Sequence, residues 1–260
     1  MDVWRYRDLL LMFVKRDFIS LYKQTILGPL WFLIQPIFTM TVYVIIFGGF
    51  AKIPTEGVPA PLFYLLGILT WTYFLDCLNK TSNVFRENQS IFGKVYFPRL
   101  IMPLSIVMSS LVRFSIQLFL FLLVFIYFWF TGSDIGPNSY IFIFPILILF
   151  VACLGMGLGM IVSAMTTKYR DIAYLVAFGS QLLMYATPVV YPLSFVPEKY
   201  KPIIAANPMT QVIEGARFGL LGKGHFELMN LLYLGVISVV VLFIGILTFK
   251  KVEKTFVDTI

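Results

Sequence analysis

The chain has 260 residues, of which 59% are hydrophobic, 17% aromatic and 13% charged. A soluble domain carries about 25% charged residues, so the solvent for most of this surface is lipid. The net charge of +7 would suggest nucleic acid in a soluble protein, but here it fits basic cytoplasmic loops and anionic headgroups. The apolar runs are continuous rather than alternating, which argues against a β-barrel. Cys77 and Cys153 both fall inside apolar runs, so no disulfide framework is implied.

Residues 1–29 read as an amphipathic helix rather than a span. Val3, Leu10, Leu11, Val14, Phe18, Leu21 and Tyr22 form one stripe, with Leu9, Met12 and Phe13 off it. Arg5, Arg16 and Lys23 cluster on the opposite side. Such a helix either lies in the membrane interface or packs on its own domain, and the stripe favours the interface. The basic residues scattered through this segment leave no signal-peptide pattern.

Six apolar stretches follow, at about 30–50, 61–80, 101–131, 139–165, 172–190 and 227–249. Each approaches the roughly 20 residues that a bilayer core requires. Pro36 predicts a kink in the first. The fourth carries Gly155, Gly157 and Gly159, a spacing that lets helix backbones approach closely. Arg113 lies inside the third, where a charge is costly unless paired or watered, and Asp76 in the second is a candidate partner.

Two stretches break this pattern. The first is a polar island, residues 81–99, in which Val84, Phe85, Ile91 and Phe92 share a helical face. It reads either as a helix docking into a groove on a soluble partner or as a plain connector. The second is residues 191–226, with Pro192, Pro197, Pro202 and Pro208. It reads as two short helical pieces, split at Asn207-Pro208, that dip into the outer leaflet. Lys and Arg concentrate in the N-terminus, the island, the loop Thr166 to Asp171 and the tail, which places both termini in the cytoplasm.

No catalytic constellation appears. The one histidine, His225, lies at a glycine-flanked loop end. A GxxxxGK[ST] phosphate loop is absent, so this chain does not hydrolyse nucleotide by itself. Asn79-Lys-Thr and Asn88-Gln-Ser match the glycosylation pattern but carry no meaning on the cytoplasmic side.

A family resemblance spans nearly the whole chain. FRENQSIF with Lys94 to Ser105, VKRDF with Tyr22-Lys23 and LGPLW, Tyr169 to Asp171, and TPVVYPLSFVPE followed by NPMT occur in order. Together they resemble the membrane subunit of ABC exporters of polysaccharide, of the O-antigen, capsule and teichoic-acid type. The resemblance implies one all-α polytopic transmembrane domain, 1–260, paired as a homodimer over two ATP-binding subunits that carry ATP and magnesium. It implies a gate helix at 1–29, a coupling helix at 81–99 and a re-entrant outer segment at 191–226. Phe85, Arg86, Glu87 and Asn88 would press into the ATPase, with Tyr169, Arg170 and Asp171 making a second contact. The cargo would be a glycan on a polyprenyl diphosphate, crossing a bacterial inner membrane.

Residue chemistry is compatible with that role. Sugars stack on aromatic rings, which makes Tyr43, Trp71, Tyr73, Tyr127, Trp129 and Tyr185 candidates for a channel lining, alongside Arg113. Arg5, Arg16 and Lys23 suit either a diphosphate headgroup or anionic lipid. The same fold exporting a drug or a smaller lipid is the alternative. An intramembrane transferase lacks the His or acidic pair it needs, and an ion-coupled carrier lacks the ionisable groups.

Overall fold

The computed structural model describes residues 5–23, 25–89, 97–169, 171–224 and 226–257. Ile91, Phe92, Arg170 and His225 lie outside them. Among the described residues every regular element is helical. The α-helices are α1 (Arg7–Tyr22), α2 (Trp31–Tyr43), α3 (Ala60–Ser82), α4 (Val84–Glu87) and α5 (Ile101–Phe130), then α6 (Phe144–Thr166), α7 (Asp171–Tyr185), α8 (Lys201–Ala205), α9 (Pro208–Leu221) and α10 (Leu228–Val257).

Five helical segments are long and apolar enough to cross a bilayer: Gly28–Phe50, Ala60–Ser82, Ile101–Phe130, Ser139–Thr166 and Leu228–Glu253. The stretch expected as a sixth span, 172–190, is shorter than its apolar run. Helix α7 has 15 residues, about 22 Å at 1.5 Å per residue. Thr187-Pro188 follows, and proline's missing N–H and its ring stop the helix. Residues Thr187 to Val190 are instead buried as a turn within the protein.

Pro36 is carried inside α2. The ladder then loosens into a π-helical stretch at Val44–Phe50 that contains Gly48 and Gly49, a deviation of the i→i+5 type.

Helix α3 is the centre of the molecule. Of its most apolar stretch, 78% is buried, against 17% in the span Leu228–Glu253 and 11% in the span Gly28–Phe50. The predicted glycine packing lies on α6. A Cβ at Gly155 would come 2.6 Å from Cys77 Cβ, and one at Gly159 would come 2.6 Å from Thr81 Cβ, both on α3. One at Gly157 would come 2.8 Å from the backbone N of Leu242 on α10. Alternating glycines thus press α6 against a different helix on each side.

A second, smaller core gathers at one end. Phe13 of α1, Val84 and Phe85 of α4, Phe97, and Ile101 and Met102 of α5 pack with Met160 and Phe249. This corrects the stripe drawn on α1. Phe13, placed off that stripe, is the buried residue among those of α1 whose side chains are described, with its ring 5.7 Å from that of Phe97. Leu9, Leu10 and Tyr6 pack beside it, while Leu11 is exposed. Periodicity located an apolar side, but the neighbour that covers it is the start of α5, which selects the face centred on Phe13.

Candidate functional site

At the end holding the smaller core, α4 turns its apolar side inward. Phe85 is 2% exposed and stacks on Phe249, ring centroids 4.6 Å apart. Val84 is fully buried, and Asn88 folds back so that its Nδ2 donates to the Val84 carbonyl at 3.0 Å. Val84 and Phe85, the described half of the apolar face expected to meet a partner, are therefore used by the chain itself. Among the described residues from Thr81 to Gln89, the exposed ones are Arg86, Glu87 and Gln89. Partial desolvation raises the Glu87 carboxyl pKa, Arg86 and Lys80 oppose that, and Asp17 adds to it.

The loop after α6 lies beside α4. Thr166 Oγ1 donates to the Ser82 carbonyl at 3.1 Å, at the last residue of α3. Tyr169 and Asp171 are exposed, and the Lys168 ammonium lies 5.2 Å from the centre of the Tyr169 ring. The two segments assigned to partner contact are thus neighbours.

On α1, Arg16 is held locally. Its Nη2 lies 2.7 Å from Asp17 Oδ1, and its guanidinium stands over the Phe13 ring at 4.8 Å. Arg5 and Lys23 are exposed. Arg16, Asp17 and Ser20 border a cleft of about 300 Å³ that Lys80, Glu87 and Ser105 complete from α3, α4 and α5.

The charge inside the third stretch has its partner. Arg113 Nη1 lies 3.0 Å from Asp76 Oδ2, and Lys80 reaches Asp76 Oδ1 at 3.7 Å. Arg113 Nη2 also donates to Gln35 Oε1 on α2 at 3.1 Å. Helices α2, α3 and α5 are therefore joined by one polar contact set within the bundle.

The channel-lining candidates separate. Tyr73 is 2% exposed and packs against Phe114, ring centroids 5.1 Å apart. It is a core residue without an open face. Trp71 is equally buried but borders a cleft between α2, α3, α5 and α7, as do Tyr43 and Arg113. Tyr127 and Trp129 near the end of α5, and Tyr185 at the end of α7, are exposed.

The opposite end holds residues that sequence reasoning did not single out. Arg217 Nη1 lies 3.1 Å from Glu214 Oε1. Its Nη2 donates to the Val189 carbonyl at 2.8 Å. Both side chains are almost fully buried. The signal was an acid and a base at i, i+3 in the otherwise apolar run of α9. Asn207 caps that helix by accepting from the Met209 N–H at 3.0 Å, with Pro208 at its first turn. Asn207 also donates to Thr187 Oγ1 at 2.8 Å. The helix ends at Gly222, whose φ of 71° requires glycine. The loop before α6 is stitched to α9 by Asn138 Nδ2 on the Phe218 carbonyl, and to the residues just after α9 by Lys223 on Asp134. Glu56 accepts from Ser194 Oγ across a cleft of about 720 Å³.

Comparison with known proteins gives this arrangement a context. The chain is 26% identical to the O-antigen export system permease protein of Myxococcus xanthus, covering 100% of this chain and 98% of that protein. It is 27% identical to the corresponding protein of Klebsiella pneumoniae, over 96% of this chain and 94% of that one. With the polysialic acid transport protein of Escherichia coli it shares 22% identity over 88% and 87% of the two chains. Residues 8–221 match the model of the family described as ABC-2 type transporter. With a match over that length, on a bundle of apolar helices, the chain belongs to the ABC-2 type transporter family.

Proposed function

We propose that this chain is the permease subunit of an ATP-driven exporter that moves lipid-linked polysaccharide across a bacterial cytoplasmic membrane. The observation that carries the reading is the end-to-end likeness to an O-antigen export permease, with almost no unmatched sequence on either side. The chain has no phosphate loop of its own, so ATP and magnesium belong to a separate nucleotide-binding subunit.

In this reading two copies pair, with α7 completing a sixth crossing together with the buried turn that follows it. Both termini face the cytoplasm. The exposed edge of α4, Arg86 and Glu87, meets the ATPase, and the neighbouring Tyr169–Asp171 loop adds to that contact. Helix α1 is a gate at the cytoplasmic entrance, and Arg5, Arg16 and Lys23 attract the diphosphate of a polyprenyl carrier. Helices α8 and α9 form the outer closure.

Deletion of the gene in its host tests the proposal. Glycan is expected to accumulate inside the cell and to return to the surface on complementation, and the chain is expected to copurify with an ATP-hydrolysing subunit. Normal surface glycan in the deletion strain, with loss of a small lipid or of drug resistance instead, refutes it.

A further inference from the structure

Lys80 stands at the corner where α3 meets α4. It lies in the last turn of α3, and a single residue, Asn83, separates that helix from α4. The carbonyl end of a helix favours a cation. One turn back on the same helix, Asp76 Oδ1 lies 3.7 Å from the Lys80 ammonium. On its other side Lys80 borders the cleft of about 300 Å³, together with Glu87 of α4 and Asp17 of α1. Desolvation raises the Glu87 carboxyl pKa, while the charges of Arg86 and Lys80 lower it. Two groups of acids therefore compete for one ammonium.

The neighbouring arginines are held more closely. Arg113 Nη1 lies 3.0 Å from Asp76 Oδ2, and Arg16 Nη2 lies 2.7 Å from Asp17 Oδ1. At 3.7 Å, Lys80 is outside the range of about 2.7–2.9 Å that a close charged hydrogen bond takes. Its side chain is 33% exposed, against 15% for Arg113, so it has room to turn. A lysine carries three donors on a flexible stem. The charges alternate in sign from the bundle outward: Arg113, Asp76, Lys80, then Glu87 and Asp17. Arg113 also holds Gln35 of α2, so what Lys80 does to Asp76 is felt where α2, α3 and α5 meet.

We propose that Lys80 is a positioning residue that passes motion at α4 to the junction of α2, α3 and α5. Its ammonium has two arrangements. In one it shares Asp76 with Arg113, and the tie between the three helices slackens. In the other it turns into the cleft toward Glu87 and Asp17, and Asp76 serves Arg113 alone. An ATPase that takes hold of the exposed edge of α4 moves Glu87 and so selects between them. Both ends bias the same side chain, which is what physical coupling between two sites requires. The proposal rests on the reading of the chain as an ATP-driven permease that meets its ATPase through α4.

The test uses the full chain with its ATPase in inverted membrane vesicles from cells fed radiolabelled monosaccharide. Labelled glycan moved into the lumen per ATP hydrolysed, less the background of vesicles lacking the chain, gives the coupling ratio. Lys80→Met keeps the stem without the charge, and Arg113 still balances Asp76. It is expected to lower the ratio at least about fivefold, the lower end for coupling between two sites. Melting temperature and copurification with the ATPase should stay at wild-type values. Lys80→Arg, which keeps the cation, should retain the ratio. Glu87→Gln added to Lys80→Met should cost less than the product of the two single losses, because both cut one link. A wild-type ratio in Lys80→Met overturns the role, and so do single losses that multiply in the double variant. A Lys80→Arg chain as deficient as Lys80→Met overturns it too, since charge is then not what matters. ATP-dependent glycan movement in vesicles lacking the chain would instead overturn the permease reading itself.

Discussion

The guanidinium of Arg217 lies over the ring of Phe63, 3.6 Å from its centroid. That contact joins α9 to α3, and the same guanidinium binds the Val189 carbonyl in the buried turn after α7. One side chain thus fixes three segments at the end opposite α4. Arg217→Met would leave the Glu214 carboxylate buried without compensation, a change that costs about 3–5 kcal/mol. Thermal melting of the detergent-purified chain measures it. Adding Glu214→Gln should recover part of the loss, and strictly additive losses in the double variant would show that the pair is not coupled.

Phe85 and Glu87 should fail in different ways. Removing the Phe85 ring from its stack on Phe249 costs about 3 kcal/mol or more, so Phe85→Ala should lower the amount of folded protein in membranes. Glu87 is exposed, so Glu87→Ala should leave abundance unchanged while reducing export per ATP hydrolysed. Immunoblots and a vesicle transport assay separate the two effects. A Phe85→Ala chain of normal abundance and melting temperature would show that its ring is not structural.

The glycines of α6 offer a contrast with a glycine elsewhere. Gly157→Ala puts a methyl 2.8 Å from backbone N of Leu242. Backbone cannot swing aside as a long side chain does, so the overpacking should cost about 1–3 kcal/mol. A Cβ at Gly179 of α7 meets nothing within 4 Å. Gly179→Ala should be neutral or gain up to about 1 kcal/mol by stiffening the unfolded chain. Melting temperatures of the two variants provide the comparison.

Acid should loosen one loop contact. The hydrogen bond from Lys223, with its charge, lowers the Asp134 pKa below its ordinary value of 3.8. A carboxylate with a depressed folded pKa contributes stability above the unfolded pKa and loses it as pH falls through the folded one. The contribution is therefore present at neutral pH and declines below about pH 4. Melting of wild type and Asp134→Asn from pH 7 downward should show a small gap that closes in that range. Because the pair is solvated, high salt should narrow the gap as well.

The sequence was legible where one residue type had one physical use. Three glycines at alternate positions named a close-packed helix, and Arg113 in an apolar run called for an acid that proved to be Asp76 at 3.0 Å. It was less legible where the answer depended on who the neighbour is. The apolar face of α4 was readable, but periodicity does not distinguish a partner's groove from the chain's own Phe249. Phe13 was misplaced for the same reason. The short α7 was hidden by composition, because an apolar run continues past Thr187-Pro188 although the helix does not. Glu214 and Arg217 went unremarked among scattered charges, although their spacing within α9 marked them as a pair.

The seam on α6 bears on how this protein tolerates change. At Gly155, Gly157 and Gly159 the space beyond each α-carbon is already taken by a neighbouring helix. Nothing at these positions reacts, binds or carries charge. A saturating mutational scan should nonetheless record some of its sharpest intolerance there, since all nineteen alternatives at each site bring an atom where one already is. For this chain, the positions that admit the least variation are defined by a hydrogen atom.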